Sequence, residues 1–160
     1  MRLLIAAIGK MRGRAEAALV DDYVDRAQGF GRRIGFADVA LQEFEAPRAL
    51  SGEALKKREA ELLLGPVPQG AKTFVLDERG ENISSEKLAA MLERLRDDGA
   101  PASVFLIGGA DGHDPALRDK ADHLISFGKA TWPHLLVRAM LAEQLYRAMT
   151  ILSGHPYHRS

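Results

Sequence analysis

The stretch RLLIAAI, residues 2–8, follows its arginine with six apolar residues and stops at Gly9. A strand with one face in water alternates apolar and polar side chains, so this one reads as covered on both faces. Such strands belong to parallel sheets, whose neighbours are joined by crossover helices lying over the sheet. The rest of the chain has the matching rhythm. TFVL (73–76), VFLI (104–107) and the short HLISFG (123–128) read as further strands, and the more alternating IGFADVAL (34–41) as one nearer an edge.

Helical periods fall between them. Arg14 to Phe30 places Leu19, Tyr23, Ala27 and Phe30 on one face, and Ser51 is positioned to cap a helix reaching Leu64. A third helix from the serines at 84–85 to Asp98 turns Leu88, Met91, Leu92 and Leu95 inward, Pro115 opens a short one, and the last runs from His134 to Ser153. The expectation is an α/β fold, a mostly parallel sheet with helices on both faces, in a single domain over 1–160.

Composition narrows the function classes. At 160 residues and 46% hydrophobic, the chain can bury one good core. It has no cysteine, which removes disulfides, zinc-thiolate sites and thiol nucleophiles. The opening apolar run is too short for a membrane span or a signal peptide's core, so a cytoplasmic protein without a membrane partner is expected. The 22 basic and 22 acidic residues cancel. A non-specific nucleic-acid binder shows a basic surplus, so any RNA contact here must come from local patches. Lys10-Arg12-Arg14, Arg32-Arg33 and Lys56-Lys57-Arg58 are such patches, or simply solvated faces.

Ligands of open parallel sheets sit beyond the carboxyl ends of the strands. Three connections there stand out: LDERG (76–80), GGADG (108–112) and FGKATWPH (127–134). They can form one pocket. Neither the dinucleotide fingerprint nor the phosphate loop fits, because the glycine spacing is wrong and no Gly-Lys-Ser/Thr follows. Read alone, GGADG is a strand-to-helix turn needing positive φ at one or two positions. Asp111, His113 and Asp114, or His155 with His158, match no standard metal spacing, so no metal is expected.

The C-terminal helix is apolar on nearly every side, which suggests a partner subunit over part of it. Arg138, Glu143, Gln144 and Arg147 are embedded in it, and Glu143 can pair with Arg147 one turn on. FLIGGADG, LISFGKATWPHLLVRAMLAEQLYRA and the terminal HPYHR together resemble the large-subunit ribosomal RNA pseudouridine N3-methyltransferases, of the SPOUT class of knotted methyltransferases. The resemblance covers essentially the whole chain, and its T-x-P-H-x-x-x-R motif is highly specific.

That resemblance implies a C-terminal trefoil knot, which periodicity cannot reveal. It also implies a homodimer that methylates N3 of a pseudouridine in 23S ribosomal RNA on the assembled ribosome, using S-adenosyl-L-methionine. Carried over residue by residue, it places cofactor contacts at Leu76, Gly108, Phe127, Gly128, Lys129, Ala130, Thr131 and Trp132. The imide proton at N3 must leave, and Arg138 and His158 are the expected catalytic residues, with Tyr157 and Arg159 gripping RNA. His134 and Glu143 are further candidates. A methyltransferase for another RNA, or a non-catalytic ribosome-binding factor with the same fold, are the alternatives.

Overall fold

The computed structural model describes residues 1–159. Its strands are β1 (Arg2–Ile8), β2 (Asp38–Phe44), β3 (Lys72–Asn82), β4 (Ala102–Ile107) and β5 (His123–Ser126). All pairings are parallel, in the order β2-β1-β4-β3-β5. The helices are α1 (Ala15–Gly31), α2 (Gly52–Leu64), α3 (Ser85–Asp97), α4 (Pro115–Lys120) and α5 (His134–Leu152). The continuous apolar runs β1 and β4 are inner strands, as their patterning requires, and the more alternating β2 lies at an edge.

Three details depart from the sequence reading. β2 begins at Asp38, not at Ile34, because Arg32–Ile34 form a 3-10 turn that ends on Gly35 at φ 88°. Phe36 then caps the core, fully buried, with its N–H donating to Gly31 O at 2.9 Å. In α1 the inward residues are Val20, Ala27 and Gly31, whereas Leu19 is 46% exposed. Ser51 precedes α2 without a side-chain capping bond, while Ser84 does cap α3 by accepting the Lys87 N–H at 3.1 Å.

The sheet divides the core into two layers. α1, α3 and α5 cover one face around Phe36, Phe74, Phe105 and Leu145, and Phe74 and Phe105 stack with centroids 4.7 Å apart. α2 and α4 cover the other around Leu63, Val104, Leu106 and Leu117. Each such side chain contributes about 1.5–3 kcal/mol on burial. α5 is enclosed on most sides, although Leu136 at its start remains 37% exposed. No helix among the described residues is long and apolar enough to cross a membrane.

β3 carries the irregularity that shapes one end of the sheet. Leu76 pairs with Ile125, the chain bulges out, and Glu81 pairs with Ile125 again. Gly80 makes the return possible: a Cβ there would stand 2.5 Å from the Ile125 carbonyl carbon. Only glycine allows two backbones that close.

Candidate functional site

At the carboxyl edge of the sheet the three connections surround a cleft of about 450 Å³. Its floor is apolar, made by Leu76, Ile107 and Ile125, and its walls are residues 77–79, 108–113 and 126–132 apart from Lys129. His134 and Val137 of α5 close one side and Lys56 of α2 another.

Each wall is fixed by its own short-range bonds. In the first, Asp77 accepts the Arg79 N–H at 3.0 Å and sits between the guanidinium groups of Arg79 and Arg118. In the third, Ser126 Oγ accepts the Gly128 N–H at 3.1 Å and donates to Gly128 O at 2.7 Å. Trp132 folds its indole back so that Nε1 donates to Phe127 O at 3.3 Å. Thr131 Oγ1 reaches Glu78 at 3.4 Å, which ties the third wall to the first.

The glycine turn has positive φ at one position, within the sequence reading, and its other two glycines serve a different purpose. Of its three glycines only Gly112 has positive φ, 77°. Gly108 and Gly109 are glycines because of what lies behind them. A Cβ on Gly108 would meet the His113 ring at 3.1 Å, and one on Gly109 the Glu59 carboxylate at 2.9 Å. His113 Nε2 lies 3.0 Å from Leu76 O and 3.2 Å from Gly108 N, so a single ring nitrogen bridges the ends of β3 and β4. It donates to the carbonyl in one tautomer and accepts the amide in the other. Burial holds the His113 pKa below the usual histidine range, which keeps the ring neutral. Glu59, buried on α2, has its pKa raised by burial, while the Gly109 backbone N–H pulls it back down. Neither residue was singled out in the sequence for this supporting role.

α5 supplies the fourth side. His134 lines the cleft with its pKa lowered, first by burial and then by Arg138 and Arg14. Arg138 is fully buried behind it. Its Nη1 donates to Gly9 O at 2.9 Å and Glu43 Oε1 at 2.6 Å, and Nη2 to Ile8 O at 2.9 Å. Its Nε has no partner among the described residues. Burial pulls the Arg138 pKa down and Glu43 pulls it back. The expectation that Arg138 works on the substrate therefore meets a guanidinium directed at the end of β1.

A model of the family described as "Predicted SPOUT methyltransferase" matches residues 1–158. The chain belongs to the SPOUT methyltransferase family. It is 54% identical to "Ribosomal RNA large subunit methyltransferase H" of Paramagnetospirillum magneticum over 99% of both chains. Proteins of the same name from Paracoccus denitrificans and Rhodospirillum rubrum are 53% identical over 99% of both chains and 51% identical over the whole of both.

In this SPOUT chain the residues expected at a cofactor fall together, with one exception. Leu76, Gly108, Phe127, Gly128, Ala130, Thr131 and Trp132 all line the cleft, and Lys129 is exposed to solvent beside it. The tail is elsewhere. Tyr157 donates to Glu143 at 3.0 Å and packs on Tyr146 at 4.6 Å between centroids. His158 lies between Arg147, at 3.3 Å, and Glu86, at 2.8 Å. Arg159 is exposed. At 1.5 Å per residue, Glu143 and Arg147 stand about 14 and 20 Å along α5 from His134. Within one chain the described tail residues dock on α5 and α3 and do not line the cleft.

Proposed function

We propose that the cleft binds S-adenosyl-L-methionine and that the chain methylates N3 of a pseudouridine in 23S ribosomal RNA on the assembled ribosome, in the cytoplasm. The observation that carries this reading is the convergence of Leu76, Gly108 and the 127–132 connection on one cleft. The names of the full-length relatives supply the large-subunit ribosomal RNA. A cleft of about 450 Å³ is of the size that encloses a molecule of this kind. The fit extends to its lining: an apolar floor, backbone at Gly108 and Gly128, and exposed carboxylates at Glu78 and Asp111 to face a cation. We also assign this chain the trefoil-knotted C-terminal half of its class.

When bound, S-adenosyl-L-methionine supplies an electrophilic methyl group on a sulfonium. The chain's own share is to hold the acceptor nitrogen in line, exclude water and take the N3 proton. His134 is on the cleft and neutral near neutral pH, so it is placed to accept that proton. Arg138 enters as a positioning residue through Gly9 and Glu43. The reading keeps His158, Tyr157 and Arg159 at the RNA through a homodimer, in which the tail of one copy meets the cleft of the other. Exposed Leu19, Trp132 and Leu136 are the apolar side chains such a contact would cover.

The test begins with calorimetric titration by S-adenosyl-L-methionine of the chain and of Gly108→Arg, whose side chain would enter the wall at His113. Saturable binding lost in the variant is expected. Methyl transfer to ribosomes, followed by mass spectrometry of nucleosides, then identifies the acceptor. A chain that binds ribosomes but not S-adenosyl-L-methionine, even with ribosomes present, would instead be a non-catalytic binding factor.

A further inference from the structure

The fold separates the three cation clusters of the sequence. Arg32 and Arg33 lie past the end of α1 beside Met1, whose amino group donates to Gly35 O, at the amino edge of the sheet away from the cleft. On α2, Arg58 is already paired with Glu61 at 2.9 Å, and only Lys56 reaches the cleft. Lys10, Arg12 and Arg14 occupy the connection from β1 to α1, at the carboxyl edge. That connection adjoins the cleft, because a Cβ on Gly9 would stand 3.5 Å from the His134 ring that lines it.

A floppy loop of cations grips poorly, since ordering it on binding opposes affinity. This one is held in place before anything binds. The Gly9 N–H donates to Phe44 O at 2.7 Å, the Met11 N–H to Glu43 Oε1 at 3.0 Å, and the Arg14 N–H to Met11 O at 2.8 Å. Met11 is 3% exposed, a plug in the core. Beneath it the Arg138 guanidinium binds Glu43 together with the carbonyls of Ile8 and Gly9. With Met11 turned in, Lys10, Arg12 and Arg14 are all exposed. Arg12 and Arg14 have no ion-pair partner among the described residues, and Lys10 has only the exposed Glu45 at 3.8 Å.

Within the cleft, Arg79 and Arg118 are taken up by Asp77, and Lys56 is the one cation of α2 on its wall. Glu78 and Asp111 lie on the walls made by the first two connections, while the three cations lie on the side of β1 and α5, and Lys129 is exposed on the third connection. A chain with 22 residues of each sign has no general attraction for a polyanion, so placement of a few cations decides where one lies.

We infer that the Gly9–Arg14 connection is a preset phosphate grip for the backbone of the RNA whose base enters the cleft, with Lys10, Arg12 and Arg14 supplying the charge. This rests on the reading of the chain as an RNA methyltransferase. Phosphate contacts orient a substrate without reading its sequence, which is what a modifying enzyme needs beside its reacting centre.

The experiment compares three proteins, the unaltered chain, K10A/R12A/R14A, and R32A/R33A as a control of similar charge loss at the far edge. Binding to ribosomes lacking the modification is measured across a range of KCl concentrations, and S-adenosyl-L-methionine binding by calorimetry. Loss of three phosphate contacts predicts a Kd for ribosomes raised at least about tenfold and a slope of log K against log salt shallower by about 2 to 3. The calorimetric Kd stays unchanged, and R32A/R33A behaves as the unaltered chain. A triple variant with unaltered ribosome affinity and slope would overturn the grip, as would an equal loss in R32A/R33A. An unaltered chain that binds S-adenosyl-L-methionine but no ribosome or ribosomal RNA would sink the RNA reading, and the grip with it.

Discussion

The two ends of α5 hold arginines that look alike in sequence and do opposite things in space. Arg138 is fully buried and grips backbone carbonyls and a carboxylate at the end of β1. Arg147, 26% exposed in its side chain, pairs with Glu143 on its own helix, lies over the Tyr157 ring and touches His158. The first arginine fixes a wall beside the cleft, and the second holds down a tail. A buried charge with a single ionic partner is intolerant of losing either, whereas a partly exposed network softens each loss through water. The cleft end of the helix is therefore held by a buried pair, and the tail end by a partly exposed network.

The largest expected effect breaks the buried pair. Arg138→Ala leaves Glu43 and two carbonyls short of donors and is expected to destabilise the fold by about 3–5 kcal/mol, read by urea denaturation. A loss below about 1 kcal/mol would mean that water replaces the guanidinium and that the two ends do not differ. Next, His134→Ala is expected to lower kcat about 100-fold, with S-adenosyl-L-methionine affinity within a few-fold, in single-turnover assays on ribosomes. An unchanged kcat would move the proton acceptor elsewhere.

Smaller effects sharpen the contrast. Burial keeps the folded His113 pKa below the 6.5 of the unfolded chain. As pH falls through that window the unfolded state binds the proton first, so the stability that His113 contributes above pH 6.5 is lost on acidification. The slope this group adds is at most about 1.4 kcal/mol per pH unit, and His113→Leu should flatten that limb of a stability-against-pH curve. The least change belongs to the tail. Tyr157→Phe removes one partly buried bond to Glu143 and is expected to cost about 1 kcal/mol or less by thermal denaturation. In a homodimer it would weaken ribosome binding more than it weakens the fold.

What the sequence discloses follows the range of each interaction. The strands, the helix periods and the Glu143–Arg147 pair depend on residues within a few positions of one another, and all can be read along the chain. The Arg138–Glu43 pair joins residues 95 apart, and no local pattern announces it. Leu19 looked inward by period, yet the core selected Val20, because where the helix meets the sheet decides which side of a stripe is covered. The glycines at 108 and 109 were legible as part of a strand-to-helix turn but not as the place where His113 and Glu59 come close. Their need arises from side chains that arrive from α2 and from beyond the turn. The tail's position was beyond reach for the same reason, since its anchors lie on α3 and α5.

The strand order has a consequence for how the molecule is made. β1 pairs on one side with β2 but on the other with β4, which starts at Ala102, and α1 packs mainly against α5, the last helix. A chain emerging from synthesis at about 5–20 residues per second thus exposes its first strand and first helix for most of its birth. The inner partner of β1 and the main neighbour of α1 both come from the second half of the chain. A chain cut short within α5 would keep the pairings of β1 but leave α1 without the helix it packs on.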